Sequence, residues 1–205
     1  AFSHNSFYQI HSEQCEVLYG LAKKMLDLKE TDTVLDTYCG VGTIGLTMTD
    51  SCKKVMGVEV NPDAIENAKY NAKQNKIKDI EFVAMDSTEF MRQARKYHNH
   101  YDAIIMDPPS YGRGPKGEIW KIEEKIFPLV QLCTKVLADK PLFFLINSYT
   151  TGLQPAVLSY MLNLEIKSRF GGTVEADEIG LPVRGKQGLV LPCGASGRWS
   201  RKERE

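Results

Sequence analysis

No stretch of this 205-residue chain is apolar for long enough to cross a bilayer. The longest such run, Pro141 to Asn147, holds five hydrophobic residues, against the roughly 20 that a membrane helix needs. The opening residues are polar and aromatic, with neither a basic start nor an apolar block, so no signal peptide is expected. Alanine at position 1 is consistent with a processed or excised fragment. Cysteine pairing is also missing. Cys15, Cys39, Cys52, Cys133 and Cys193 include no CxxC spacing, so they read as reduced thiols of a cytoplasmic protein rather than a disulfide framework or a zinc site. No metal is therefore expected. Neither sign of charge dominates: 26 basic residues balance 26 acidic ones, and net charge offers no argument for a nucleic-acid partner. Repeats and low-complexity segments are absent too.

What is present is an ordinary globular composition, 42% hydrophobic and 25% charged, in a chain sized for one α/β domain spanning 1–205 and too short for two. Short β-rich runs alternate with amphipathic stretches, the pattern of a doubly wound parallel sheet. Ser12 to Leu26 has helical spacing (Val17, Leu18, Leu21, Met25, Leu26) and forms a lead-in over residues 1–30. Strands are expected at Thr33 to Asp36, Lys54 to Glu59, Ile80 to Ala84, Tyr101 to Met106 and Leu142 to Ile146. Helices are expected near Thr43 to Thr49, from Asn61-Pro62 to about Asn75, after Asp86, over Glu123 to Leu137 with Pro128 inside, and over Pro155 to Leu164. Ile166 to Phe170 and Gly188 to Leu191 would close the sheet as a hairpin, and Arg201 to Glu205 would be a frayed tail. The expected fold is thus α/β and Rossmann-like: a doubly wound, mostly parallel seven-stranded sheet with helices on both faces and a C-terminal antiparallel hairpin.

In such sheets ligands bind beyond the carboxyl ends of the strands, so the residues there carry the functional reading. After the first strand comes Asp36-Thr37-Tyr38-Cys39-Gly40-Val41-Gly42-Thr43. Gly40 and Gly42 permit a tight turn and close backbone approach to a ligand. With Gly45 they also match GxGxxG, which keeps a dinucleotide in play. Asp36 argues against that, because a carboxylate so near the loop would repel a pyrophosphate while accepting bonds from loop amides or a ligand ammonium. After the second strand, Glu59 can accept both hydroxyls of a ribose. After the third, Asp86-Ser87 can accept a bond from an adenine amine or cap the next helix. After the fourth stands Asp107-Pro108-Pro109-Ser110-Tyr111. Its prolines remove two amide donors and would leave turn carbonyls free to grip the amino group of a planar base, with Tyr111 placed to stack. Read together, Asp36, Glu59, Asp86 and Asp107-Pro108-Pro109 point to S-adenosylmethionine as cofactor. Asp107, Ser110 and Tyr111 are the candidate catalytic residues, with Asp107 able to orient the acceptor or take its proton.

Two family resemblances attach to these motifs. From Phe7-Tyr8-Gln9 through the glycine loop to Gly57-Val58-Glu59, residues 1 to about 90 resemble the catalytic domain of RNA 5-methyluridine methyltransferases. That resemblance places Gln9, Tyr38, Thr43, Glu59 and Asp107 at the cofactor. From Tyr101 onward the chain resembles a different group of bacterial class I methyltransferases related to ribosomal RNA enzymes. Here the match lies in Asp107 to Glu118, Asn147-Ser148-Tyr149-Thr150-Thr151-Gly152 and Leu191-Pro192-Cys193-Gly194. The two together imply a hybrid joined between residues 85 and 101. The uridine enzymes carry their nucleophilic cysteine in Ser-Cys-Asn after the fifth strand, where this chain reads Ile146-Asn147-Ser148-Tyr149. Serine is a far poorer nucleophile without an activating base, and Cys193, the late candidate, reads as a buried structural thiol.

The leading functional reading is a methyltransferase acting on an rRNA or tRNA base, with RNA implied by resemblance alone. The alternatives are an S-adenosylmethionine-binding domain without useful turnover and an NAD-dependent oxidoreductase. Several other residues read as bland. His98 and His100 sit in a polar link, and Trp120, Trp199, Met25, Met48 and Met161 read as packing. Arg113, Lys116 and Lys121 form a basic loop that either meets phosphates or merely aids solubility.

Overall fold

The computed structural model describes residues 28–113, 117, 119–185 and 188–201, together with Gly20. The helix expected over Ser12 to Leu26, Gln9, Lys116 and the tail beyond Arg201 lie outside the described residues. The elements run β1 (Thr33–Thr37), α1 (Thr43–Met48), β2 (Lys54–Glu59), α2 (Pro62–Gln74), β3 (Ile80–Ala84), α3 (Ser87–Lys96) and β4 (Ala103–Met106). They continue with β5 (Tyr111–Arg113), β6 (Ile119–Lys121), α4 (Ile122–Cys133), β7 (Phe143–Ser148), α5 (Pro155–Leu162), a π-helical segment Asn163–Lys167, α6 (Ser168–Phe170), β8 (Thr173–Pro182) and β9 (Val190–Ser200). Seven strands form one mostly parallel sheet in the order β3-β2-β1-β4-β7-β9-β8, closed by the antiparallel β8–β9 hairpin. β5 and β6 form a separate two-stranded ribbon. Among the described residues no helix is long and apolar enough to cross a membrane.

The chain divides into two compact units, one running to Ile105 and including Val136–Leu142, the other comprising Met106–Lys135 and everything from Phe143 on. In the first unit β1 pairs parallel with β2 from Thr33↔Lys54 to Thr37↔Val58, and β2 with β3 from Val55↔Ile80 to Glu59↔Ala84. β1 is buried on both sides after its first residue, as a parallel strand covered on both faces should be. Only Val34 and Leu35 are apolar; Asp36 and Thr37 are buried as polar residues, with Asp36 accepting the Gly45 N–H and Thr37 donating its hydroxyl to the Ile105 carbonyl. α2 starts where Asn61 Oδ1 accepts the Asp63 N–H at 2.9 Å, with Pro62 in the first turn. It buries Ala64, Ile65, Ala68 and Ala72 along one stripe. Lys76, at φ 57, ends it in the left-handed region. α3 repeats the design: Asp86 Oδ1 accepts the Glu89 N–H at 3.0 Å, and Phe90, Met91 and Ala94 face inward.

In the second unit β9 pairs antiparallel with β7 (Phe143↔Ser200 to Ser148↔Ala195) and with β8. Trp199 is fully buried and donates its indole N–H to the Gly171 carbonyl at 2.7 Å. A bulge at Ile179/Gly180 lies where a side chain on Gly180 would run into Val190.

Three sequence expectations are corrected. Ile166 to Phe170 is helical rather than a hairpin strand, because Ile166 extends the buried stripe of Leu158, Met161 and Leu162. The turn into β8 comes only at Gly171 and Gly172, both at positive φ. α4 ends at Cys133 instead of Leu137, since Val136 and Ala138 are held by backbone bonds to Tyr101. For the same reason Tyr101 forms an isolated bridge with Leu137 ahead of β4.

Candidate functional site

The loop after β1 is tightly built. Asp36 is 1% exposed, and its Oδ2 accepts the Gly45 N–H at 3.0 Å, tying the strand end to α1. Tyr38 and Gly40 both lie at positive φ, 66 and 53. A tyrosine in that region is strained by about 1–3 kcal/mol, a feature that concentrates at functional sites. The two motif glycines have different reasons to be glycine. A Cβ on Gly42 (φ 83) would meet the Phe82 ring at 2.8 Å, so Gly42 is required by protein packing. A Cβ on Gly40 would meet nothing within 4 Å, so its backbone is open to an approaching ligand.

Glu59 is held beside this loop. Its Oε2 accepts the Gly40 N–H at 3.3 Å and its Oε1 accepts the Asn61 N–H at 2.9 Å. Both bonds fix the carboxylate while leaving further lone pairs on each oxygen. Open backbone at Gly40 and a pre-set carboxylate at Glu59 fit a nucleoside ligand with vicinal hydroxyls. Asp86 is exposed, with one oxygen spent on capping α3, while Ser87 is buried in the first turn of that helix. Thr43 is exposed at the start of α1. Cys39 is buried, and burial, with Asp36 and Glu59 adding to it, pushes its thiol far up. Burial likewise raises Cys52 to about 11 and Cys133 further still. None of the three is a ready thiolate. Cys193, expected to be buried, is only half-buried.

The second unit carries the Asp-Pro-Pro turn. Asp107 is half-buried as a residue, but its Oδ1 is fully buried with no hydrogen-bond partner. Burial raises its carboxyl to about 6, against the opposing influence of the Asn147 and Tyr149 side chains, which favour the charged form. Asn147 lies near enough to bias the charge, although its amide makes no hydrogen bond of ordinary geometry. The expectation of free turn carbonyls is corrected in part. The Pro109 carbonyl accepts the Trp120 indole N–H at 2.6 Å and the Ser110 carbonyl accepts the Ile122 N–H at 3.1 Å. Trp120 therefore does more than pack: it braces the turn from β6. Ser110 and Tyr111 are both exposed, and the Tyr111 hydroxyl accepts the Arg113 Nε–H at 3.2 Å. His98 is exposed at positive φ just past α3, and His100 meets the Leu137 carbonyl at 3.2 Å.

Two features escape the sequence-based set. Asn147 and Tyr149 face Asp107, and only their place at the end of the fifth expected strand could have signalled it. In the first unit, a groove of about 710 Å³ against α2 and β3 is lined by Lys69, Lys73, Lys76 and Lys78 together with Glu81 and an apolar floor that includes Phe82, and Lys69 is paired with Glu66. Spacing along α2 and the turn after it gathers this charge on a chain whose net charge is zero.

The fold and these strand-end loops define the Rossmann-like methyltransferase class. A family model described as a methyltransferase domain matches residues 28–147, and the chain belongs to that family. An uncharacterised RNA methyltransferase of Staphylococcus aureus is 46% identical over 110 residues, 54% of this chain and 24% of the relative. The chain thus spans about a quarter of the length of such curated relatives. The S-adenosylmethionine-dependent methyltransferase of Agrobacterium tumefaciens superposes with a TM-score of 0.82 at 24% identity, covering 94% of this chain and 63% of that one. A methyltransferase solved with S-adenosylhomocysteine gives a TM-score of 0.67 at 16% identity, covering 88% and 48%.

Proposed function

We propose that this chain is the catalytic domain of an S-adenosylmethionine-dependent methyltransferase that acts on a base of RNA. The observation that carries the cofactor is Glu59, fixed by the Gly40 and Asn61 amides beside a backbone left open at Gly40. Glu59 would accept the ribose hydroxyls, Gly40 would lie against the cofactor, and Asp86 would offer its second oxygen to the adenine amine. When bound, the cofactor supplies a methyl group on an already electrophilic sulfonium. What the chain must add is alignment, worth up to about 7–11 kcal/mol in favourable cases. Asp107 would orient the acceptor and hold its departing proton on Oδ1, with a carboxyl poised near 6 for that exchange.

RNA as substrate rests on the names of the curated relatives and on the lysine groove, which suits a phosphate backbone. Buried, protonated thiols at Cys39, Cys52 and Cys133 do not serve the cysteine-adduct route to uridine C5, which leaves the half-buried Cys193 as its candidate among the described residues. An acceptor with its own lone pair suits the site better. The hybrid reading, with a junction between 85 and 101, rests on the two resemblances alone, and the family match over residues 28–147 runs across that junction. A natural homologue matching evenly across that junction contradicts it.

The test is transfer of labelled methyl from S-adenosylmethionine to bulk RNA, with DNA and protein as controls. Label in RNA that disappears in Asp107→Ala supports the proposal. Cofactor binding without label anywhere favours a binding domain without turnover.

A further inference from the structure

Unsatisfied polarity among the described residues of the second unit lies just after β4 and at the end of β7. Asp107 Oδ1, both side-chain atoms of Asn147 and Oγ1 of Thr150 are buried without hydrogen-bond partners. Asn147 is the sharpest case. It is 1% exposed, on a strand whose six residues are all buried and whose preceding four are Phe143, Phe144, Leu145 and Ile146. Its neighbour Ser148 is satisfied, accepting the Thr150 N–H at 3.3 Å. A buried amide with neither donor nor acceptor engaged destabilises the fold, and an apolar residue of the same shape would not. The one effect the fold assigns to the Asn147 side chain is to favour the charged form of Asp107, and no hydrogen bond holds its amide.

An amide presents a donor and an acceptor side by side in one plane, and the Asp107 carboxylate adds a second acceptor. The matching ligand is a planar group with an N–H next to a lone pair, as on the hydrogen-bonding edge of a nucleobase. A glutamine side chain offers the same edge, but exposed aromatic rings favour the base. Tyr111, 51% exposed, follows Asp107 by four residues, and Tyr149, 43% exposed, follows Asn147 by two. Such rings stack on bases regardless of sequence. The strand end at which the resemblance expects a uridine nucleophile thus presents a buried, unbonded amide instead.

We propose that Asn147 is a specificity-determining residue that, with Asp107, reads the hydrogen-bonding edge of the nucleobase to be methylated. This rests on the methyltransferase reading above, and the test separates the two. Asn147→Leu and Asn147→Asp are compared with the wild type by thermal melting and by calorimetry with S-adenosylhomocysteine, the four nucleoside monophosphates and a glutaminyl peptide. Asn147→Leu should melt at or above the wild type, by up to about 4 °C. Both variants should keep S-adenosylhomocysteine affinity within about twofold and lose at least about tenfold in affinity for the preferred nucleotide. A melting point lowered by several degrees in Asn147→Leu makes the residue structural and overturns the proposal. So does unchanged nucleotide affinity in the variants, or binding of the peptide but of no nucleotide by the wild type. Failure of the wild type to bind S-adenosylhomocysteine would instead strike the methyltransferase reading, while the melting and nucleotide results still decide the role of Asn147.

Discussion

Replacing Asp107 with asparagine should make the protein more stable at neutral pH and not in acid. Burial lifts this carboxyl from 3.8 to about 6 in the folded chain. The folded state therefore binds the proton more tightly than the unfolded state does. Its stabilising effect is fully present below pH 3.8 and is lost as pH rises through about 6. At 1.36 kcal/mol per pH unit, the difference amounts to about 3 kcal/mol by pH 7.5. The substituted amide has nearly the same shape as the carboxyl and carries no such proton. The stability gap in favour of Asp107→Asn should open by about 2 kcal/mol between pH 4 and 7, or about 4–8 °C in melting temperature for a chain of this size. Paired thermal melts from pH 4 to 8 read this directly. A gap that stays constant with pH, or one that narrows as pH rises, refutes the burial argument.

The two motif glycines should separate in their costs. Gly42→Ala must displace the Phe82 ring and adopt φ 83, costing about 2–3 kcal/mol of stability in denaturant titrations. Gly40→Ala, with open space beside it, should cost only about 1–2 kcal/mol yet weaken S-adenosylmethionine binding more than Gly42→Ala does once folded. Exchanging Lys73, Lys76 and Lys78 for alanine should lower RNA affinity and flatten the slope of log K against log salt by about 2, leaving mononucleotide binding unchanged. An unaltered salt slope would remove the groove from the RNA path.

Much of the fold is legible in the chain because its signals are local. β2 and β3 can be read to the residue, since each is a short run rich in β-branched or aromatic residues that stops just before a helix-capping residue, Asn61 after β2 and Asp86 after β3. The starts of α2 and α3 are equally plain in Asn61-Pro62 and Asp86, whose capping chemistry is written in the residue itself. The errors arise where tertiary contacts override pattern. Ile166 to Phe170 looks strand-like alone but completes the apolar stripe of α5. Tyr101 and Val136–Ala138 leave their elements to bond each other. The ribbon of Tyr111–Arg113 with Ile119–Lys121 escapes detection because three-residue strands leave no period to read. At the candidate site, motif reading singles out Asp36, Gly40, Glu59 and Asp107. It cannot find that Trp120 and Ile122 use two of the turn carbonyls, that Phe82 is the reason for Gly42, or that the Asn147 amide is left unbonded. Those are facts of packing between distant residues.

Glu59 and Gly40 are proposed to form the seat of S-adenosylmethionine and not of a dinucleotide. Calorimetry of the wild type and Glu59→Ala with S-adenosylmethionine and with NAD tests this most directly. Saturable S-adenosylmethionine binding, weakened at least about tenfold in Glu59→Ala, with no heat from NAD, is the predicted result. Tight NAD binding with no response to S-adenosylmethionine would contradict it.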